Sequence, residues 1–183
     1  MTTERFIENN VIRNRDLLGY RDSLYIRRCR AGRGFGIVDV MILPLRGPHR
    51  LVLVEAKQIK SIDSSSKVIG QLLLYYSGAL QFGARGVRML RDFASKYPVR
   101  ARSMSNKLLK TLSGGISPPD DAWREFQKGH KISPKQIGLF IALNGNPSEG
   151  LKSSLETLFE HHGLEIGIVS VHERDKLSIW KPA

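Results

Sequence analysis

Two apolar runs close together in the chain limit its possible folds more than any other feature. Residues 36–57 read GIVDVMILPLRGPHRLVLVEAK, in which two stretches rich in Val, Ile and Leu flank the turn-like RGPHR. Aliphatic and β-branched runs of this length, separated by a turn signal, are typical of paired strands. We therefore expect strands at 36–45 and 51–57, joined as an antiparallel hairpin.

Helical and strand patterns alternate on either side of this hairpin. Residues 65–82 have apolar side chains at helical spacings of three and four. Helices are also expected at 3–15 and 147–162, and strands at 24–30, 137–143, 164–171 and 176–180. The chain is thus predicted to be a single α/β domain over residues 1–183. Its expected order is α-βββ-α-(insertion)-β-α-ββ, with a mixed central sheet flanked by helices.

The expected insertion, residues 84–136, carries most of the excess positive charge. The chain has 29 Lys and Arg against 17 Asp and Glu, a net charge of +12, and this segment alone has 12 basic and 4 acidic residues. We expect it to be partly helical, with Trp123 and Phe126 pinning a short helix. Such an excess is typical of proteins that bind a polyanion, here nucleic acid. The candidate phosphate contacts are Arg85, Arg88, Arg91, Arg100, Arg102, Lys107 and Lys110.

Several other kinds of protein are disfavoured. A single cysteine, Cys29, cannot form an internal disulfide or a four-cysteine zinc site. Residues 145–154 follow a strand as a phosphate-binding loop does, but they lack the Gly-Lys-Ser/Thr sequence that such a loop requires. Charges interrupt the first residues too often for a signal peptide, and no apolar run has the length of a membrane span. We expect a soluble, cytoplasmic protein that does not bind membranes.

Charged residues are predicted to converge at one end of the hairpin. In an extended strand alternate side chains share a face, so Glu55 and Lys57 are neighbours. Antiparallel pairing brings Asp39, near the start of the preceding strand, opposite that end. Two carboxylates and an ammonium at an apolar sheet edge are costly unless a cation joins them. Hard carboxylate oxygens favour Mg²⁺ or Mn²⁺, which usually act together with substrate phosphate, so the pattern indicates phosphodiester hydrolysis.

These residues resemble the PD-(D/E)XK nuclease superfamily. Asp39 matches its first acidic position and Glu55-Ala56-Lys57 matches its E-x-K signature, although Val38 stands where the family name has proline. Gln71-Leu72-Leu73-Leu74-Tyr75 is similar to the Q-x-x-x-Y motif of the RecB-like and lambda-exonuclease-like branch. Glu8 matches an additional acidic residue that many members place beside the metal.

The resemblance implies a restriction-endonuclease-like α-βββ-α-β core and one or two Mg²⁺ or Mn²⁺ ions. Asp39, Glu55 and the Ala56 carbonyl would bind metal, with Glu8 completing an outer site. Lys57 would orient or deprotonate the attacking water or neutralise charge in the transition state, and Gln71 would orient Lys57, metal or substrate.

Two positions of the candidate site can each be filled by either of two residues. Tyr76 is an alternative to Tyr75 in the catalytic set, and Glu4, one helical turn before Glu8, is its direct rival. The sequence does not distinguish between them.

The resemblance also implies DNA rather than RNA as the substrate, because members of this branch mostly cut DNA. Repair or recombination, restriction or defence, and phage DNA processing are the compatible pathways, and endonuclease and exonuclease action are both open. A homodimer, or a helicase or other protein partner, fits the same reading. The alternatives are a non-catalytic nucleic-acid-binding module of the same fold and an RNA nuclease acting as a toxin or defence effector.

Overall fold

Six strands form a mixed sheet in the computed structural model, which describes residues 3–59, 64–96, 110 and 121–183. In chain order the strands are β1 (Ser23–Arg30), β2 (Ile37–Pro44), β3 (Leu51–Lys57), β4 (Ile137–Leu143), β5 (Ile166–Glu173) and β6 (Lys176–Trp180). The described helices are α1 (Glu4–Arg13), α2 (Ser64–Leu80), α3 (Ala84–Lys96), α4 (Asp121–Gln127) and α5 (Glu149–His162).

The strands lie side by side in the order in which they occur in the chain. β1, β2 and β3 form an antiparallel meander, β3, β4 and β5 are parallel, and β6 returns antiparallel to β5. The change of direction follows from connection length, because parallel neighbours need a long crossover and antiparallel ones need only a turn. The α/β class and the mixed sheet with flanking helices, predicted from the sequence, are confirmed.

One face of the sheet is covered by α1. Ile7 and Val11 of this helix are fully buried against Val40, Val52 and Val54 of the strands. The helix begins after Thr3, whose hydroxyl accepts a hydrogen bond from the Phe6 N–H, as expected of an N-cap. It ends at Arg13, two residues earlier than predicted. This packing places the acidic residues of α1 near the end of β3.

The opposite face is covered by α2. Val68, Leu72, Tyr75 and Ala79 follow one another at spacings of four, three and four, and all of them are buried in the larger core cluster. The same spacing turns each of them toward the sheet, since 3.6 residues complete one helical turn. The helix therefore presents Tyr75 to the face on which Glu55 lies.

Part of the expected basic insertion lies in the described residues. α3 buries Val87 and Leu90, and α4 buries Trp123 and Phe126, as the sequence predicts for its short helix. The Trp123 indole donates a 2.5 Å hydrogen bond to the Pro44 carbonyl, which fixes α4 at the end of β2. Among the described helices, none has both the length and the apolar character needed to cross a membrane.

Candidate active site

The two carboxylates predicted on neighbouring strands meet where β2 and β3 separate. The regular ladder between these strands ends at the pair Val40 and Val54. One residue beyond it, Asp39 Oδ2 accepts a 2.9 Å hydrogen bond from the Ala56 backbone N–H. Asp39 is 3% exposed. Its carboxylate thus replaces a strand-to-strand bond and is held in place by the backbone of β3.

Glu55, at the end of β3, is 2% exposed. Its Oε1 lies 2.7 Å from the Lys57 Nζ, and its Oε2 accepts a 3.2 Å hydrogen bond from the Tyr75 hydroxyl. Burial and the negative charge of Asp39 raise the pKa of Glu55 to about 7, although Lys57 opposes the shift. Burial and the neighbouring carboxylate thus outweigh the effect of Lys57 on Glu55, and an added cation would stabilise the charged form of Glu55.

Lys57 remains an ammonium in this setting. Burial lowers the pKa of Lys57, but its hydrogen bond to Glu55 and the charges of Glu55 and Glu4 outweigh that effect, so the net shift is upward. The Nζ atom lies 3.9 Å from Glu4 Oε1. A protonated amine cannot accept a proton, so of the predicted roles this geometry favours charge neutralisation and water orientation.

Glu8 is linked to Asp39 through Arg28. The Arg28 guanidinium places Nη2 2.8 Å from Glu8 Oε1 and Nη1 2.9 Å from Asp39 Oδ1. Glu8 is 3% exposed, and Arg27 Nη1 lies 3.7 Å from its other oxygen. Burial raises the pKa of Glu8, the two arginines oppose the shift and Asp39 adds to it. We call Glu8, Asp39 and Glu55 the acidic cluster.

Arg28 is a charged residue of this site that the sequence reasoning missed. Its neighbours Arg27 and Cys29 pair with Val40 and Val38, so Arg28 stands opposite Asp39 in the strand register. Its backbone has φ of 50°, in the left-handed region, which costs a non-glycine residue roughly 1–2 kcal/mol. The register could have revealed this residue, because the turn at AGRGFG brings the RRCR run alongside the VDV run.

α2 supplies the tyrosine and the glutamine of the predicted motif. Tyr75 is buried and contacts Glu55, whereas Tyr76 lines a separate cavity near His49. Of the two tyrosines, Tyr75 is the one that contacts the acidic residues. Burial and the Glu55 charge raise the pKa of Tyr75, which keeps its hydroxyl a donor. Gln71 lies one turn before Tyr75, and its side-chain oxygen is buried without a hydrogen-bond partner among the described residues.

The β1–β2 turn closes over this tyrosine. Gly36 has φ of 82°, and a Cβ atom there would lie 2.6 Å from the Tyr75 ring. On the next helical turn, a Cβ atom at Gly78 would lie 2.7 Å from both the Ala31 carbonyl oxygen and the Phe35 Cβ. Glycine is needed at both positions because the β1–β2 turn and α2 lie too close together there for a side chain. The glycine-rich turn thus lies beside the site.

Four of the seven predicted phosphate contacts lie within the described residues. Arg85 and Arg88 line a groove of about 730 Å³ that also contains Arg28, whereas Arg91 does not line it. Lys110 is exposed. The remaining three lie outside the described residues: Arg100, Arg102 and Lys107.

The donor atoms of the site suit a hard cation. Across residues 3–59, 64–96, 110 and 121–183, no three His, Cys, Asp or Glu side chains converge closely enough to hold a metal by themselves. Asp39, Glu55 and the adjacent Ala56 backbone offer oxygen ligands alone. Mg²⁺ is commonly bound by one or two carboxylates, with water and phosphate oxygens in the other positions, so a pair of carboxylates is sufficient.

Comparison of the chain with protein-family models, curated proteins and solved structures gives no match. The interpretation of the site therefore depends on its own geometry and chemistry.

Proposed function

We propose that this protein is a nuclease that hydrolyses DNA phosphodiester bonds with Mg²⁺ or Mn²⁺. The observation that carries the proposal is the buried pairing of Asp39 with Glu55, with the Lys57 ammonium 2.7 Å from Glu55. Buried like charges cost free energy unless cations compensate them, and the raised pKa of Glu55 indicates that Lys57 alone does not do so. A divalent cation would supply the missing charge.

The order of elements supports a restriction-endonuclease-like core. α1, an antiparallel β1–β2–β3 meander, α2 and the parallel strand β4 follow one another along the chain. The E-x-K residues end the third strand, and Gln71 and Tyr75 lie on the next helix. This order of elements and motifs is compatible with the resemblance.

Asp39, Glu55 and the Ala56 carbonyl would hold the metal, while Glu8 would contribute to an outer position. When bound, a divalent cation polarises the phosphoryl group and lowers the pKa of a coordinated water. Arg28 now contacts both Asp39 and Glu8. Its half-exposed side chain borders the groove, so it can turn toward a phosphate as a metal takes its place.

The chain's own side chains would then position water and substrate. Lys57 neutralises negative charge that develops on the phosphoryl oxygens and orients the attacking water. Tyr75 donates to Glu55 and holds that carboxylate in place. Gln71 directs an otherwise unpartnered oxygen toward a water or the substrate. Water forms a bond to phosphorus and loses a proton, one phosphorus–oxygen ester bond breaks, and the leaving oxygen takes up a proton, so the products are a phosphomonoester and a free hydroxyl.

A cleavage panel tests this proposal. Purified full-length protein is incubated with circular, linear, single-stranded and branched DNA and with matched RNA, in Mg²⁺ or Mn²⁺ and in EDTA. We expect DNA cleavage that requires metal and that disappears in Asp39→Ala, Glu55→Ala and Lys57→Ala. Glu156→Ala and Lys176→Ala are matched controls, because both side chains are exposed and lie outside the site.

The other outcomes overturn specific parts of the proposal. Cleavage that persists in all three site variants rules out this site as its source. Cleavage of RNA in preference to DNA favours the RNA nuclease, and metal-independent binding without cleavage favours the non-catalytic module. The product pattern also separates endonuclease from exonuclease action. That distinction narrows the choice among repair or recombination, restriction or defence, and phage DNA processing.

A further inference from the structure

The groove beside the acidic cluster combines positive charge with apolar surface. Its basic residues are Arg28, Arg30, Arg85, Arg88 and Lys96, and Asp92 is the one acidic residue among those that line it. Its volume is about 730 Å³. We call it the arginine groove. An excess of four positive charges along one cleft favours a polyanion over a neutral or cationic ligand.

The basic side chains of α3 lie on the groove side because of their spacing. Arg85, Arg88 and Lys96 follow at intervals of three and eight residues, so they lie on one face of the helix. Val87 and Leu90 occupy the opposite face and are buried in the core. Arg91 is exposed but lies away from the groove face. Arg91 therefore serves as a control for a positive charge on α3 that lies outside the groove.

Apolar side chains line the same cleft. Ile37 is 49% exposed, although it begins a strand whose other residues are all buried. Met89 and Phe93 of α3 are partly buried and also line the groove. Solvent-exposed apolar surface within a cationic cleft matches the construction of sites that bind single strands, where charges follow the phosphates and apolar or aromatic side chains contact base faces.

A double helix would contact the basic side chains of the groove but would not place base faces against its apolar side chains. Its bases are stacked on one another, so Ile37, Met89 and Phe93 would meet sugar and phosphate instead of base faces. Unstacked bases of a single strand can lie against these side chains while their phosphates meet the arginines. The combination of charged and apolar residues therefore favours a single strand.

Arg28 lies between the arginine groove and the acidic cluster. It lines the groove, and its guanidinium lies within 3 Å of Asp39 and Glu8. A backbone phosphate bound in the groove at Arg28 would lie next to the carboxylates that we propose as metal ligands.

We propose that the arginine groove binds single-stranded nucleic acid and delivers it to the acidic cluster. The delivery step depends on the proposed nuclease function, whereas the binding step does not. The substrate class is then a single strand, or the unpaired end or flap of a duplex.

The test measures binding without metal, so that cleavage cannot interfere. Full-length protein in EDTA is titrated against a fluorescent single-stranded oligonucleotide and against the duplex of the same sequence, at several salt concentrations, with fluorescence anisotropy as the signal. We expect tighter binding of the single strand. Arg85→Ala and Arg88→Ala should each lower the slope of log affinity against log salt by about 0.7, the value for one lost single-strand phosphate contact. Arg91→Ala should leave both affinity and slope unchanged.

Apolar variants separate base contact from charge. Phe93→Leu keeps an apolar side chain against the core but removes the aromatic face, and Ile37→Ala shortens an exposed side chain. Each should weaken single-strand binding without changing the salt slope, by about fivefold for Phe93→Leu, at the lower end of the effect of losing one stacked base. Duplex binding should change less. Thermal melting of each variant identifies any loss of folding, and Ile37→Ala tests the groove even if Phe93→Leu is unstable.

Three outcomes would overturn the inference. They are equal or tighter binding of the duplex, an effect of Arg91→Ala as large as that of Arg88→Ala, and unchanged single-strand affinity in both apolar variants. Failure of the nuclease proposal gives a different result, because single-strand binding with the expected variant pattern would then occur without metal-dependent cleavage in any arm of the panel.

Discussion

Arg28 lines the arginine groove and contacts the acidic cluster, but the two regions differ in how their charges are compensated. In the cluster, three carboxylates are at most 3% exposed, and each has a cationic nitrogen within 3 Å. In the groove, Arg85 and Arg88 are exposed, and no described residue forms an ion pair with either. The charge of the cluster is thus partly compensated from within, at a cost in desolvation, whereas the charges of Arg85 and Arg88 are exposed to solvent.

This difference separates two kinds of experimental result. Changes in the cluster should alter catalysis, stability and the response to pH or metal. Changes in the groove should alter affinity and its dependence on salt while leaving the unfolding free energy nearly constant. The following predictions test that separation from the largest expected effect to the smallest.

The largest effect is expected from Asp39→Asn. The amide can still accept the hydrogen bond from the Ala56 N–H, so the fold should survive, but the charge that would bind metal is lost. Loss of a partner in the second shell of a metal site commonly costs 10–100-fold, so loss of a direct ligand should lower the cleavage rate by more than about 100-fold. The rate is measured under saturating Mg²⁺, with thermal melting to verify folding. A rate within a few-fold of the wild type would remove Asp39 from the metal site.

Glu55 should make the stability of the metal-free protein depend on pH. Its ordinary pKa of 4.5 rises to about 7 in the folded chain, so the folded state takes up a proton in this interval. The stabilisation is complete below pH 4.5 and is lost as pH rises to about 7, and it amounts to at most about 3 kcal/mol for such a shift. Urea unfolding at several pH values in EDTA measures it.

Glu55→Gln is the matched variant for that measurement, since the amide does not titrate. The fall in stability between pH 4.5 and 7 should be smaller in this variant than in the wild type. An equal fall in both proteins would assign the dependence to other groups.

Arg28→Ala should destabilise the metal-free protein by about 2 kcal/mol, because Asp39 and Glu8 lose their nearest cation while remaining buried. The half-exposed position of Arg28 keeps the expected value below that of a fully buried pair. Mg²⁺ should restore more stability to this variant than to the wild type, since a metal can then compensate both carboxylates. Arg85→Ala in the groove should change stability by less than about 0.5 kcal/mol. Similar unfolding curves for the two variants would contradict the contrast between the regions.

Tyr75→Phe should give the smallest effect. It removes one hydrogen bond to Glu55 and leaves the ring in place, at a cost of about 1 kcal/mol in unfolding free energy. The pKa of Glu55 should rise further because its charged form loses a donor. Tyr76→Phe is the control on the same helix, and an equal effect there would show that the contact with Glu55 does not matter.

The elements were predictable from sequence where burial follows a simple period. β3, β4 and β6 have the predicted bounds, because each is an apolar or alternating run between turn signals. The pairing of Asp39 with the end of β3 also follows from antiparallel geometry. Helix ends shifted by one or two residues, since local capping sets them and periodicity does not.

Antiparallel pairing of the first two strands places Arg28 opposite Asp39, but its contact with both carboxylates and the choice between Tyr75 and Tyr76 required three-dimensional information. Arg28 reaches Asp39 and Glu8 from a left-handed backbone position in a strand, and no propensity or period indicates such a conformation for arginine. Tyr75 and Tyr76 differ by 100° around the helix, so the rotation fixed by Val68 and Leu72 decides which one meets Glu55.

Gly36 lies so close to the Tyr75 ring that adding a side chain at this position would move the ring. Gly36→Ala adds a single methyl group 2.6 Å from the ring and leaves every ionisable group of the protein unchanged. Gly36→Ala would disturb the glutamate by displacing the phenol and by straining the backbone at a φ of 82°, without removing any polar group, whereas Tyr75→Phe removes the hydroxyl and keeps the ring. Comparison of the two substitutions would separate the loss of the hydroxyl from the displacement of the ring beside one carboxylate.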